Sequence, residues 1–208
     1  MNLAKDIFTN ERFGLITGSR CSPLVPKKSA DVGQRTLAKQ LAKEVVFEFY
    51  DEQSTWQTEH GQINEEFAMD HFMTYYDDSI KKGRWIKKGE IGGSTDAESK
   101  EYGVDFKCPT TLEGWLNNCY EGVKTEYYNQ CQLYMILTDK DKWLVCNYLI
   151  ETQRMNDNGI RYPIEEVKRM IIQEVKRDNE WIEKFNENLP KVVEMRNEYI
   201  SILKSKFN

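Results

Sequence analysis

Apolar positions in the N-terminal part of the chain fall at helical spacing. Leu37, Leu41, Val45 and Phe49 recur every four residues, which predicts an amphipathic helix over 33–50. A second helix is predicted over 59–76, with Ile63, Phe67 and either Met69 or Phe72 turned inward. From 84 to 107 the pattern changes to short alternating runs punctuated by Gly89, Gly92, Gly93 and Gly103, which fits a small antiparallel sheet with tight turns. Within it, Val104–Lys107 reads as a strand that ends at Pro109. A helix over 124–138 and a strongly apolar strand over 142–150 follow. After a turn cluster at 156–159 the remainder reads as mostly charged helix, broken near Pro190. This order describes an α/β (α+β) chain forming a single domain over residues 1–208, with C-terminal helices from about residue 160.

Composition narrows the class. A chain of 208 residues can bury one full core, and 39% hydrophobic with 30% charged residues is a globular balance. No apolar run is long enough to span a bilayer, and the first residues carry no signal-peptide core. The expected location is therefore cytoplasmic (the host cytoplasm for a phage-encoded chain), with Cys21, Cys108, Cys119, Cys131 and Cys146 as reduced thiols. None of these forms a CxxC pair, and the only histidines are His60 and His71, which argues against a zinc or iron–sulfur site. The net charge of −5 argues mildly against a nucleic-acid partner, but the average hides local structure. Lys27 and Lys28 form one small basic group; Lys81, Lys82, Arg84, Lys87 and Lys88, with Trp85 among them, form a denser one. An acidic body with a basic strip is compatible with DNA entering one channel, and a solvated loop has the same composition.

The candidate chemistry lies in two short segments, Gly93-Ser94-Thr95-Asp96 and Val104-Asp105-Phe106-Lys107-Cys108-Pro109. Side chains two apart on a strand share a face, so Asp105 and Lys107 would stand side by side. Asp96, at a turn leading into the hairpin, can bring a second carboxylate to them. Two acids and a lysine suit phosphodiester hydrolysis. Mg²⁺ prefers oxygen and takes one or two carboxylates while keeping waters, and the lysine can stabilise developing charge or orient the water. By itself DxK is a weak signal, since an edge-strand salt bridge gives the same tripeptide.

Five segments in order make the signal specific. Arg12-Phe13-Gly14-Leu15-Ile16-Thr17-Gly18-Ser19 resembles the RxGxITAS-like opening of the phage lambda exonuclease (YqaJ-like viral recombinase) family, within the PD-(D/E)xK nuclease superfamily. His60-Gly61-Gln62-Ile63-Asn64-Glu65 resembles that family's helix with a glycine and an acid four residues on. Gly93-Ser94-Thr95-Asp96 is similar to its SPDG-like metal motif, and Asp105-Phe106-Lys107-Cys108-Pro109 to its (E/D)xKCP strand. Tyr127-Tyr128-Asn129-Gln130-Cys131-Gln132-Leu133-Tyr134-Met135 resembles its YxxQxQxxM helix.

The resemblance implies a restriction-endonuclease-like core, a central mixed β-sheet flanked by helices. It implies that Asp96, Asp105, the Phe106 carbonyl and Glu65 bind Mg²⁺, with Mn²⁺ as a substitute, and that Lys107 is the catalytic lysine. Gln130 would brace the site, while Arg12, Ser19 and Ser94 would hold phosphate oxygens near a 5′ end. The implied activity is degradation of double-stranded DNA from its ends, 5′ to 3′. The resulting 3′ single strands would serve recombination through a single-strand annealing protein, and the enzyme would act as a homotrimer. The chain departs from the pattern where Thr95 and Ala97 replace a proline and a glycine, where Asp105 replaces the usual glutamate, and where Phe8–Glu11 lacks a tryptophan. A structure- or site-specific endonuclease, an inactive DNA-end binding module and a non-nucleic-acid interaction domain remain as alternatives. Gln130 and Gln132 point to different faces of one helix, and motif position favours Gln130.

Overall fold

Residues 11–26, 31–50, 55–151 and 162–207 are described in this computed structural model. In chain order their elements are β1 (Ile16–Thr17), α1 (Asp31–Phe47), α2 (Trp56–Tyr75), β2 (Lys81–Lys82), β3 (Trp85–Lys88), β4 (Ile91–Ser94), β5 (Ala97–Glu98) and β6 (Gly103–Lys107). They continue with α3 (Leu112–Glu121), α4 (Thr125–Thr138), β7 (Lys142–Tyr148), β8 (Met170–Lys176) and α5 (Asn179–Phe207).

The apolar run at 142–150 becomes β7 because that strand is covered on both faces. It pairs in parallel with β6 and antiparallel with β8, inside a five-stranded mixed sheet of order β2-β5-β6-β7-β8. Alternate residues of these strands enter two cores. Trp143, Val145 and Val175 pack with Leu133 and Met135 of α4, Leu37 and Leu41 of α1, and Trp181 and Phe185 of α5. Val104, Phe106, Cys146, Tyr148 and Met170 pack on the other face with Ala68 and Phe72 of α2. A mixed sheet between helical layers is the expected architecture.

Several expectations need correction. The 84–107 segment is divided between two sheets: β3 and β4 form a hairpin that joins β1, while β5 and β6 belong to the larger sheet. The transition is at Gly83, whose N–H donates to the Asp96 carbonyl while the next ladder bond runs from Thr95 N–H to the Arg84 carbonyl. A Cβ on Gly83 would meet the Thr95 carbonyl oxygen at 2.0 Å, so only glycine fits this close approach.

On α2, Ile63 and Phe67 do not face inward; they are 69% and 57% exposed. The buried face is His60, Asn64, Ala68, His71 and Phe72, so the phase is set by a polar and small-residue stripe. Asn64 is admitted because its amide donates to the His60 carbonyl at 2.7 Å and its own carbonyl receives the Cys108 thiol. Phe49 lies beyond the end of α1 and is exposed.

The region after residue 160 is not all helix, since β8 completes the sheet along the edge of β7. Pro190 does not break α5, which runs through it. Trp181, Phe185 and Val192, on both sides of the proline, are buried, and Asn188 donates to the Lys184 and Leu24 carbonyls, so packing offsets the missing N–H. The turn cluster at 156–159 and the pair Lys27 and Lys28 lie outside the described residues.

Candidate active site

β6 ends at Lys107, and the chain leaves through Cys108-Pro109 toward α3. β6 and β7 are parallel, and the mouth left at the carboxyl ends of such strands is where open α/β sheets place ligands. A cleft of about 490 Å³ opens there, lined among others by Gly61 and Glu65 of α2, Asp96, Phe106 and Lys107, and Tyr127 of α4.

Strand alternation puts Asp105 and Lys107 on the face covered by α4. Asp105 is fully buried, and its Oδ2 lies 2.6 Å from Lys107 Nζ. Neither Asp105 oxygen has a hydrogen-bond donor with good geometry, so the ammonium is the main compensation for a carboxylate removed from water. The Lys107 side chain keeps 21% exposure toward the cleft, with its Nζ 4.9 Å from the centre of the Tyr127 ring.

Asp96 reaches the same place by another route. β5 contributes only Ala97 and Glu98 to the ladder, so the next N–H of β6 has no strand partner. Asp96 Oδ2 takes that place and accepts from Phe106 N–H at 2.7 Å. The N–H and C=O of one strand residue leave on the same side, which sets the Phe106 carbonyl on the Asp96 side of β6.

The electrostatics follow from burial and crowding. Burial, then the nearby Asp105 charge, hold the Asp96 carboxyl well above the ordinary carboxylate range, against the opposing pull of Lys107. Glu65 adds to the rise, which places its charge within reach of Asp96 from α2. For Lys107, burial disfavours the ammonium, but Asp105 and Asp96 outweigh it and hold the pKa above the usual lysine value. Burial, helped by Glu65, pushes the Cys108 thiol up to about 12, so it is no thiolate nucleophile at neutral pH.

The remaining predicted residues divide into two groups. Arg12 Nη2 donates to Ser94 Oγ at 3.0 Å, and its guanidinium lies over the Trp85 ring at 4.9 Å. Ser19 is exposed and 3.4 Å from Thr17 Oγ1; among the described residues no hydrogen bond joins it to the Arg12–Ser94 pair. Gln130 donates to the Tyr134 hydroxyl at 2.8 Å, and α4 lies so close to Gly18 that a Cβ there would meet Gln130 Cγ at 2.9 Å. Gln132 is fully buried and links α4 to the C-terminal part, donating to the Lys176 carbonyl and accepting from Asp178 N–H.

Sequence reasoning missed three features. Arg20 forms a buried ion pair with Glu44 of α1, whose other oxygen accepts from Gly14 N–H; the partners are too far apart in sequence for a local pattern to show. Asn147 lies beside Lys107 in the register, is buried, lines the cleft and leaves its Oδ1 without a donor. Its signal was a carboxamide interrupting an apolar run. Trp85 was read as part of a basic strip rather than as the platform under Arg12.

Among the described residues no three His, Cys, Asp or Glu side chains converge tightly enough to hold a metal ion as they stand. The donor chemistry still fits a hard cation. Asp96, Asp105, Glu65 and a strand carbonyl are all oxygen donors, and Asp105 is buried with an oxygen that lacks a donor.

The YqaJ-like viral recombinase domain family matches residues 8–141. No curated protein matches the sequence. Among solved structures, the alkaline exonuclease LHK-Exo from Laribacter hongkongensis is similar at 18% identity, with a TM-score of 0.75 over 94% of each chain. Its complex with dAMP gives 19% identity and a TM-score of 0.75 over 95% of each chain. A phage related exonuclease from Haemophilus somnus is similar at 21% identity and a TM-score of 0.75, over 97% of this chain and 100% of that one. At these identities the likeness establishes a common fold.

Proposed function

The chain belongs to the YqaJ-like viral recombinase family, and we propose that it is a metal-dependent deoxyribonuclease degrading double-stranded DNA from its ends. The observation that carries this reading is the buried Asp105 carboxylate, ion-paired at 2.6 Å with Lys107 and crowded by Asp96, where Lys107 and Asp96 line an open cleft. Two buried acids side by side, one of them with no well-aligned hydrogen-bond donor on either oxygen, cost stability that a bound cation would recover.

Asp96, Asp105, Glu65 and the Phe106 carbonyl are the residues that would hold Mg²⁺, or Mn²⁺ in its place. A bound divalent ion supplies Lewis-acid polarisation of the phosphoryl oxygen and lowers the pKa of a coordinated water. Lys107 presents an ammonium at the cleft floor, where negative charge develops on the phosphorane-like transition state, and it can orient the attacking water. Gln130 holds the Tyr134 phenol that covers Asp105 from α4. Arg12 offers planar donors to phosphate oxygens and is preset by Ser94 and Trp85; Ser94 and Ser19 add hydroxyl donors. A phosphate held by this group puts the 5′ end at the cleft, which favours 5′ to 3′ digestion, leaving a 3′ strand for an annealing protein. By the same resemblance the working enzyme is a homotrimer.

The test compares linear duplex DNA with a covalently closed circle, each in Mg²⁺ and in EDTA, with the wild type and Lys107→Ala. Loss of the linear form alone, only with Mg²⁺ and only with the wild type, supports the exonuclease. Cutting of the circle moves the assignment to an endonuclease. No digestion by the wild type overturns the enzyme reading. Duplexes labelled at either end of one strand then give the polarity.

A further inference from the structure

The segment from Lys81 to Lys88 pairs along the whole length of the segment from Ile91 to Glu98, which carries Ser94 and Asp96. It forms the outer edge of both sheets, because β2 and β3 are terminal in their strand orders. Lys81, Lys82, Arg84, Lys87 and Lys88 are all exposed, and among the described residues none of the five is in an ion pair.

The register separates these cations by face. Trp85 is opposite Ser94, and Lys87 opposite Gly92, so Trp85 and Lys87 share the side on which Arg12 binds Ser94. Gly92 adds no side chain there; a Cβ would meet the Trp85 ring at 2.7 Å. Lys88 leaves on the opposite side and reaches the Ile136 carbonyl of α4 at 3.4 Å. Beyond the Gly83 transition, Lys82 is opposite Ala97, the residue after Asp96. Arg84, next to Trp85, falls on the Lys88 side, and the adjacent Lys81 and Lys82 point to opposite faces, so the edge carries cations on both of its faces beside the segment that bears the proposed phosphate and metal residues.

We propose that Lys87, on the Arg12–Ser94 side, together with Lys81, Lys82 and Arg84 along the same exposed edge, forms a track for the phosphate backbone of duplex DNA that holds the duplex while its end lies in the cleft. This deepens the nuclease reading and rests on it. The contacts would be to phosphates, so the track adds affinity without sequence preference. Lysines also protect a sheet edge from pairing with another chain. Glutamate protects an edge equally well, so charge reversal separates the two roles.

The experiment measures binding of a short 5′-phosphorylated duplex in EDTA over a range of NaCl concentrations. It uses the wild type, the combined variant Lys81→Glu, Lys82→Glu, Arg84→Glu, Lys87→Glu, and a control reversing the exposed Lys184, Lys191, Lys204 and Lys206 of α5. For the track variant the slope of log affinity against log salt should become shallower by about 3–4, with affinity at low salt falling at least about tenfold. The control should keep a slope close to that of the wild type. An unchanged slope in the track variant, or an equal loss in the control, overturns the track while leaving the nuclease reading intact. Absence of duplex binding by the wild type in EDTA overturns the track, while the nuclease reading is decided separately by digestion in Mg²⁺. If the glutamate variant does not fold, the corresponding glutamine variant decides by the same slope.

Discussion

Lys107 and Asp105 illustrate how a single residue serves both folding and chemistry. Asp105 is fully buried, and the ammonium 2.6 Å away is its main compensation. Lys107→Ala should therefore cost about 3–5 kcal/mol of stability in metal-free buffer at neutral pH, because a buried charge is left unpaired. Lys107→Met combined with Asp105→Asn should recover most of that loss, as measured by urea unfolding. If the single variant unfolds like the wild type, the pair does not anchor the fold. If Mg²⁺ binds as proposed, it relieves the crowding of Asp96 and Asp105 and should raise the unfolding midpoint of the wild type in a concentration-dependent way. A thermal-melt series in Mg²⁺ should show no such rise in Asp105→Asn. The DxK tripeptide was legible in the sequence because alternation on a strand needs no tertiary information. The Arg20–Glu44 pair was not legible, since its partners meet only after α1 docks on the segment around β1.

At the scale of elements, α5 carries two tests. Asp178 precedes its first turn; Oδ1 accepts from Trp181 N–H at 3.0 Å and Oδ2 from the Tyr128 hydroxyl at 2.6 Å. The Tyr128 hydrogen bond, then the Trp181 N–H, hold the Asp178 carboxyl below the ordinary carboxylate range. A depressed folded pKa contributes stability that is present above the unfolded value near 4 and is lost as pH falls through the folded one. Asp178→Ala should cost about 1 kcal/mol at pH 7, and the gap from wild type should narrow as urea titrations move below about pH 4. Pro190 leaves a helical carbonyl without its N–H, so Pro190→Ala, at an exposed position, should stabilise the chain by about 1–3 kcal/mol. A lower unfolding midpoint for Pro190→Ala would mean instead that the helix axis is fitted to the proline. For α2 the sequence specified a helix but not its phase. Its larger apolar residues Ile63 and Phe67 point outward, and satisfied polar groups point inward.

For the whole molecule, the deciding contacts join residues from opposite ends of the chain. Arg196 of α5 donates to the Gly14 carbonyl at 2.8 Å and to Glu90 at 2.6 Å, holding the N-terminal segment and the β3–β4 hairpin together two residues from Arg12. Arg196→Ala should cost about 1.5–3 kcal/mol, and by the proposed role of Arg12 it should raise KM for 5′-phosphorylated ends more than it lowers kcat. An equal effect on 5′-hydroxyl ends would assign Arg196 a purely structural part. The sequence by itself determined the helices with clear period, the apolar strand β7, the DxK alternation and the ordered motifs of the family, because each depends on spacing within a few residues. Only the tertiary structure decided the rest. It divided the hairpins between two sheets at Gly83, recruited the segment Met170–Lys176 as an edge strand on β7, and kept α5 continuous through Pro190. It also brought Glu65 of α2 and Asp96 to one cleft, with Asp105 of β6 buried beside Asp96. These outcomes depend on which faces are covered and on hydrogen bonds between distant residues, and in both respects packing and hydrogen-bond satisfaction outweigh local propensity.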